Sequence, residues 1–425
     1  MRILQMGSCG PAVSLLQLGL NRALGAALET DGVFGPATAD ALRNFQRREG
    51  LVPDGVAGRE THRAILPYYT GCRLHRVARG DTLWLLAQRF GSTVDAIRTA
   101  NPGVQAENLT VGEVLVIPLD FPVVPTTIPM FSALAGYCVR GLSMRYPFLI
   151  SGEIGRSVMG RPLWRLTLGE GENRVFYHAT HHANEWICTP LLLRFAEELA
   201  AAYASGGGIL GRSAAGILRH ARITLIPAVN PDGMDLVTGE LTRGAFYRAA
   251  EAVARDYPRV PFPSGWKANI RGTDLNLQYP AGWEQARENK AALGVTSPAP
   301  MNYVGPAPLS APESRAVYDY TLAFAPRLTL SFHTQGEVIY WRYLDREPPG
   351  AREIGERFAR LSGYALEDVP FASSFAGYKD WFIEAFDRPG YTIEAGRGTN
   401  PLPLSDFEEI WRACLPILVE GALST

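Results

Sequence analysis

The stretch "VFYHATHHANEWICTPLLLRFAEELAAAYA", residues 175–204, decides the fold of most of this chain. It begins with a short apolar run, passes through a polar loop and ends in a segment whose apolar residues have helical spacing. Thr189 followed by Pro190 is typical of a helix start, because threonine caps helices and proline is tolerated in the first turn. The stretch therefore predicts a buried strand, a loop at its carboxyl end and a helix.

The same alternation of apolar strands and helical segments continues over residues 130–425. Further strand candidates are "ARITLIPAVN", "RLTLSFH" and "YTIEAG", and the last helical segment is "FEEIWRACLPILVEGAL". Buried strands interleaved with helices indicate an α/β domain with a mixed or largely parallel sheet flanked by helices. In such domains ligands bind at the carboxyl ends of the strands. The loop at residues 180–187 is therefore a candidate site.

Three of the chain's seven histidines lie between residues 177 and 186. His182 and Glu185 offer one imidazole and one carboxylate, whereas catalytic zinc commonly takes two histidines and one carboxylate with a fourth position open. His333, at the end of another predicted strand, is the best-placed third ligand. Glu394 ends a further strand and is a candidate general base, although an ordinary strand-end glutamate is the alternative interpretation.

Residues 1–70 contain an internal echo, D-G-V-x-G-x-x-T, at 31–38 and again at 54–61. Each copy reads as a glycine-containing turn followed by a helix start. With the helical segments around them, they predict an all-α unit of three helices. The segment resembles the peptidoglycan-binding helical domain.

Residues 72–119 change pattern and predict two short strands flanking two helices. We expect Asp81 and Thr82 to cap the first of these helices and Gly91 to end it. The segment resembles a LysM module with βααβ order, carried by "GDTL" at 80–83, Asn101-Pro102 and Ile117-Pro118. That resemblance implies binding to the N-acetylglucosamine-containing glycan of peptidoglycan or chitin, and the adjacent peptidoglycan-binding unit favours peptidoglycan. Residues 120–129 are proline-rich and predict an extended linker.

Over residues 130–425 the chain resembles the carboxypeptidase A family of zinc peptidases. The matching elements occur in family order and are "HHANEW", "NPDG", "GTDLN", "SFHTQG", "YKDW" and "YTIEAG". The resemblance implies one Zn²⁺ per catalytic domain, with His182, Glu185 and His333 as its ligands. It also implies that Glu394 is the general base and returns the proton to the leaving amine.

The chain departs from that family where a carboxypeptidase grips its substrate. The family reads D-L-N-R-N-F, but this chain reads "DLNLQY" at 274–279, so Leu277 replaces an arginine that pairs with the terminal carboxylate. A family tyrosine is also replaced, by Ala372. For the family's oxyanion-stabilising arginine, spacing from Gly272 selects Lys267, and Arg271 is the fallback. These departures favour an endopeptidase.

Within the family, the chain resembles the γ-D-glutamyl-L-diamino-acid endopeptidases of spore-forming bacteria. The stretches that carry this resemblance include "GWKAN", "FHTQG", "VIYW", "AGYKDWFI" and "GTNPLP". It implies cleavage of the peptidoglycan stem peptide between γ-D-Glu and meso-diaminopimelate. We expect Asn276, Arg271 and Arg397 to bind the carboxylates of such a substrate.

Several other classes of function are disfavoured or stay open. A net charge of −1 gives no electrostatic case for binding nucleic acid, and no apolar run suggests a membrane span. Five scattered cysteines indicate neither a disulfide framework nor a thiolate zinc site. With no signal peptide recognised, we expect cytoplasmic synthesis and action in a mother cell, on a spore or on wall fragments. The alternatives are a carboxypeptidase acting on muropeptides, an amidase, or a non-catalytic protein that binds wall or spore.

Overall fold

The computed structural model describes residues 2–424 and divides into two compact units. One contains the chain up to Pro129 together with Gly136–Ile150, and the other contains Met130–Ala135 and the chain from Ser151 onward. Helix α6 therefore has residues in both units. The domain boundaries expected from the sequence, after residues 70, 119 and 129, stay predictions.

The first unit begins with three helices, α1 (Pro11–Leu24), α2 (Pro36–Arg48) and α3 (Arg59–Thr70). A buried glutamine explains each copy of the sequence echo. The side-chain amide of Gln17 donates to Asp31 Oδ1 (2.7 Å) and accepts from the backbone N–H of Gly32, the residue after Asp31 (2.9 Å). Gln46 makes the same pair of bonds, to Asp54 (2.8 Å) and to the residue after it (2.9 Å). The repeated motif is therefore a repeated hydrogen-bonded turn.

The predicted βααβ unit is confirmed. It consists of β1 (Cys72–Arg76), α4 (Leu83–Phe90), α5 (Val94–Ala100) and β2 (Val114–Pro118), with β1 and β2 antiparallel. Thr82 caps α4 by accepting from Leu85 N–H at 3.1 Å. Asp81 does not cap the helix, because its carboxylate accepts from His75 (2.7 Å) and from Ala78 N–H (2.8 Å). Helix α6 (Ser132–Arg145) follows.

The second unit is an α/β domain, as predicted. Its strands are β3 (Ile150–Arg156), β4 (Pro162–Leu168), β5 (Asn173–Ala179), β6 (Gly208–Ile209), β7 (Arg212–Ser213), β8 (Ala221–Ile226), β9 (Leu328–His333), β10 (Val338–Tyr340), β11 (Ala365–Glu367) and β12 (Gly390–Glu394). Among the described residues eight of these form a mixed sheet in the order β11-β10-β12-β9-β5-β8-β4-β3. Its four central strands, β12, β9, β5 and β8, are parallel.

Helices cover both faces of this sheet. They are α7 (Cys188–Ala204), α8 (Ala214–His220), α9 (Pro231–Val237), α10 (Ala245–Arg255), α11 (Trp283–Ala292), α12 (Pro312–Phe324), α13 (Ala351–Ser362), α14 (Tyr378–Phe386) and α15 (Phe407–Leu423). Tyr177 and His178 are neighbours in β5 and point to opposite faces. The Tyr177 hydroxyl donates to Leu418 O in α15, whereas the His178 ring contacts Tyr378 in α14. Helices α15 and α14 therefore cover opposite faces of the sheet. The carboxyl ends of the parallel strands lie at one edge of it. Within residues 2–424, no helix combines the length and the apolar character that crossing a bilayer requires.

Candidate metal centre

The structure brings His182, Glu185 and His333 together at the carboxyl edge of the sheet. His182 follows β5 and precedes a short 3₁₀ helix (Ala183–Glu185), and His333 ends β9, which pairs in parallel with β5. All three are buried, and their ligand atoms lie within 4.8 Å of one another. His333 Nδ1 lies 2.8 Å from Glu185 Oε2 and 3.1 Å from His182 Nδ1. Two imidazole nitrogens and a carboxylate are donors that zinc prefers, so these residues fit a metal.

Both histidines are oriented through their other ring nitrogen. His182 Nε2 lies 3.2 Å from Asp274 Oδ1, and His333 Nε2 lies 3.1 Å from Ser331 Oγ. Each ring therefore presents Nδ1 to the centre, as metal-binding histidines with a hydrogen-bonded outer partner do. Burial raises the pKa of Asp274, but His182 more than offsets this, so the carboxyl pKa lies below its usual range. The sequence reasoning did not assign this role to Asp274, although "GTDLN" contained it.

A helix start fixes the loop that carries His182. Asn230 caps α9 by accepting from Gly233 N–H (3.0 Å), and its side-chain amide donates to His181 O (3.1 Å) and to Ala268 O (3.0 Å). A Cβ at Gly233 would lie 2.7 Å from the Ala183 side chain. The "NPDG" motif therefore lets α9 pack closely against the loop that carries His182.

Glu394 lies beside the cluster on the neighbouring strand. It ends β12 and is directly paired with His333 of β9, so both side chains extend from the same face of the sheet. Burial raises the pKa of Glu394, and the nearby His333 lowers it by less, so the pKa stays above its ordinary value. A carboxylate with a raised pKa at this position is suited to accepting a proton.

Lys267 also contacts the cluster. Its Nζ lies 3.2 Å from Glu185 Oε1. Burial lowers the pKa of Lys267, but the nearby carboxylates of Glu185 and Asp274 raise it by more. The pKa therefore lies above its ordinary value, and the ammonium stays charged. The structure thus places a fixed positive charge at the candidate metal site.

The residues expected to bind substrate carboxylates do not form a comparable cluster. Arg271 is exposed. Arg397 is 78% exposed and forms an ion pair with Glu337 at 2.5 Å. Asn276 accepts from Tyr378 N–H at 3.0 Å. Leu277 is partly buried and packs against the hydrophobic core, so this position offers no charged group.

Comparisons with known proteins agree with this architecture. A zinc carboxypeptidase model matches residues 138–415, a peptidoglycan binding domain model matches residues 9–65, and a LysM domain model matches residues 75–118. The γ-D-glutamyl-L-diamino acid endopeptidase 1 of Lysinibacillus sphaericus is 42% identical over 284 residues, covering 67% of this chain and 69% of that protein. The Bacillus subtilis protein YqgT is 39% identical over 277 residues, covering 64% of this chain and 72% of YqgT.

Among solved structures, bovine thrombin-activatable fibrinolysis inhibitor in complex with tick carboxypeptidase inhibitor matches with a TM-score of 0.52. The match has 20% identity and covers 69% of this chain and 96% of that one, which shows a shared fold. The family consists of zinc enzymes, and the His-Glu-His cluster can hold a metal. With a family match over more than half of its length, the chain belongs to the zinc carboxypeptidase family.

Proposed function

We propose that the chain is a zinc-dependent endopeptidase that cleaves peptidoglycan stem peptides between γ-D-Glu and meso-diaminopimelate. The observation that carries this proposal is the buried cluster of His182, Glu185 and His333 in a chain that also has two wall-binding modules. The endopeptidase relative from Lysinibacillus supports the bond that we propose. One Zn²⁺ per catalytic domain is expected, since the three ligands form one site.

Each group around the cluster has a role in amide hydrolysis. His182, Glu185 and His333 would hold the zinc, which when bound would supply polarisation of the scissile carbonyl and a lowered pKa of a water. Glu394 takes the proton of the attacking water and then gives it to the leaving nitrogen. Lys267 stabilises the negative charge that develops on the carbonyl oxygen, because its ammonium is already fixed beside the site. Asp274 and Ser331 keep the two histidine rings in place.

Leu277 favours an endopeptidase over a carboxypeptidase. Its apolar side chain offers no charged partner to a free terminal carboxylate. The proposed substrate instead carries the α-carboxylate of γ-linked D-Glu next to the scissile amide. Asn276, Arg271 and Arg397 are the proposed partners for its carboxylates. For Arg397 this requires exchanging Glu337 for the substrate.

The two N-terminal modules are proposed to hold the enzyme on its polymer. In this proposal residues 1–70 and 72–119 bind peptidoglycan, and the LysM module binds its glycan strand. Residues 120–129 connect the two modules to the catalytic domain, residues 130–425, which cleaves the stem peptide. Tethering raises the local concentration of substrate without any new contact at the active site. We further propose that the enzyme acts in a mother cell, on a spore or on wall fragments.

Product analysis of one peptide tests the proposal. The tetrapeptide L-Ala-γ-D-Glu-meso-diaminopimelate-D-Ala is incubated with the chain, with Glu394→Ala as the matched control, and products are identified by mass spectrometry. We expect L-Ala-γ-D-Glu and diaminopimelate-D-Ala, both absent with the variant. Release of D-Ala alone would identify a carboxypeptidase. Release of the stem peptide from a muropeptide, with the tetrapeptide left intact, would identify an amidase, and the absence of any product would favour a non-catalytic binding protein.

A further inference from the structure

Glu313 is a buried carboxylate that the proposed chemistry does not use. It lies in the first turn of α12 and is fully buried. Both of its oxygens accept hydrogen bonds, Oε1 from Val158 N–H at 3.0 Å and Oε2 from the side-chain amide of Asn269 at 3.2 Å. Burying a carboxylate costs free energy unless hydrogen bonds of this kind satisfy it. We therefore ask what Glu313 holds in place through Asn269.

Asn269 closes the loop at residues 269–273 through hydrogen bonds of its side chain and backbone. Its Oδ1 accepts from the backbone N–H groups of Arg271 (3.0 Å) and Thr273 (3.1 Å). Its own backbone N–H donates to Thr273 O at 2.8 Å, and its carbonyl accepts from Gly272 N–H at 2.9 Å. Because Oδ1 is committed to the loop, the amide nitrogen must face an acceptor, and Glu313 is that acceptor.

The loop closed by Asn269 contacts the metal-binding cluster at both of its ends. Lys267 precedes it and lies 3.2 Å from Glu185 Oε1. Asp274 follows it and lies 3.2 Å from His182 Nε2. The backbone of Lys267 is also tied to the metal-binding loop, because its carbonyl accepts from Ala183 N–H at 2.9 Å. A shift of Asn269 would therefore move the ammonium and the carboxylate together.

We propose that Glu313 is a positioning residue for the active site. By fixing Asn269, Glu313 fixes the loop that Asn269 closes and the residues on either side of it, Lys267 and Asp274. It thereby holds the Lys267 ammonium against Glu185 and the Asp274 carboxylate against His182. The inference deepens the proposed function and rests on it for the effect on catalysis. The effect on metal binding follows from the contact between Asp274 and His182 alone.

The first test compares Glu313→Gln with Asp235→Asn in the full chain. Glutamine keeps the shape of Glu313 but turns one of its two acceptors into a donor, which then opposes Val158 N–H or the Asn269 amide. Asp235 is a matched control, because it is buried and accepts from Ser132 N–H (2.7 Å) and Arg161 (2.9 Å) without a hydrogen bond to the loop. Burial raises the pKa of Glu313 to about 7, so assays are run at about pH 8, where it is ionised.

We expect Glu313→Gln to lower kcat on the tetrapeptide, per bound zinc, by about tenfold, with KM changed by less than about twofold. Zinc affinity, measured by competition with a chelator, should fall by about tenfold. Asp235→Asn should lower the melting temperature without either change. If both variants lose stability alike and keep kcat per bound zinc and zinc affinity, Glu313 has only a structural role and the proposal is overturned.

A double-mutant cycle with Asn269→Ala tests the route through Asn269, and it also serves if Glu313→Gln does not fold. Asn269→Ala alone should reproduce the losses in kcat and zinc affinity. Glu313→Gln should add little in that background, because residues acting as one unit are not additive. Losses that multiply in the double variant would overturn the proposal. If the wild-type chain does not cleave the tetrapeptide, the proposed function fails, while the zinc measurements still decide the role of Glu313.

Discussion

Replacing Lys267 by methionine should separate catalysis from metal binding. Methionine removes the ammonium but keeps an unbranched side chain at a partly buried position. Removal of one preorganised oxyanion donor lowers kcat by about 10²–10³. The Lys267 side chain is 28% exposed, so solvent screens it in part and we take the lower end, about a hundredfold.

The same substitution should leave zinc affinity unchanged or increased. Lys267 Nζ lies 3.2 Å from Glu185 Oε1, so the ammonium competes with a metal cation for that carboxylate. Removing the positive charge removes the competition and the repulsion between cations. kcat on the tetrapeptide is therefore expected to fall, whereas zinc affinity is not.

The assay measures kcat and KM on the tetrapeptide, with zinc content determined for each preparation. Arg271→Met is measured in parallel as the other candidate for this role; Arg271 is exposed and is proposed to bind a substrate carboxylate, so its loss should raise KM and leave kcat unchanged. An unchanged kcat for Lys267→Met, or a loss that disappears when rates are expressed per bound zinc, would refute the role of Lys267. A hundredfold loss in Arg271→Met alone would transfer that role to Arg271.

Three further predictions follow from contacts elsewhere in the chain. Asp274→Ala should weaken zinc binding by about tenfold or more in chelator competition, because His182 loses the partner that orients it; unchanged affinity would contradict this. Gln46→Ala, and Gln17→Ala as its counterpart, should each lower the free energy of local opening by about 2 kcal/mol in amide hydrogen exchange, because each leaves a buried backbone N–H, of Gly55 or Gly32, without its acceptor. Burial raises the pKa of Glu313 from 4.5 to about 7, so the folded chain retains a proton that the unfolded chain releases between these values. The free energy of unfolding should fall as pH rises through this range, and a Glu313→Gln variant with the same slope would show that another group is responsible.

The sequence predicted the parts of the fold and site that depend on local pattern. Strand-end positions and H-x-x-E spacing made His182, Glu185 and His333 candidates, and the resemblance to zinc peptidases selected them. The structure brings the three together, because parallel strands have their carboxyl ends at one edge. The repeated turn motif likewise predicted the three-helix unit. The assignment of His182, Glu185 and His333 as zinc ligands, and that of Glu394 as the base, stays a prediction.

Contacts between distant segments were not predictable in the same way. Asp274 lies 92 positions from the histidine that it orients, and Glu313 lies 44 positions from Asn269. Only the packing of α12 against the loop brings the second pair together, and no periodicity in a single sequence encodes it. Asp81 shows a local failure of the same kind, because a suitable capping residue instead bonded to His75 from the neighbouring strand.

The closed loop around Asn269 also separates two tasks along the chain. The hydrogen bonds that Asn269 makes within the loop end at Thr273, and the segment 275–279, which includes Leu277, is held by Asp274 through the backbone N–H of Asn276 (3.2 Å) rather than through its side chains. A substitution in that following segment can change which substrate is recognised while Lys267 and Asp274 keep their places. Exopeptidase and endopeptidase recognition can therefore be exchanged by evolution on an unaltered hydrolytic apparatus, at the cost of a few side chains downstream.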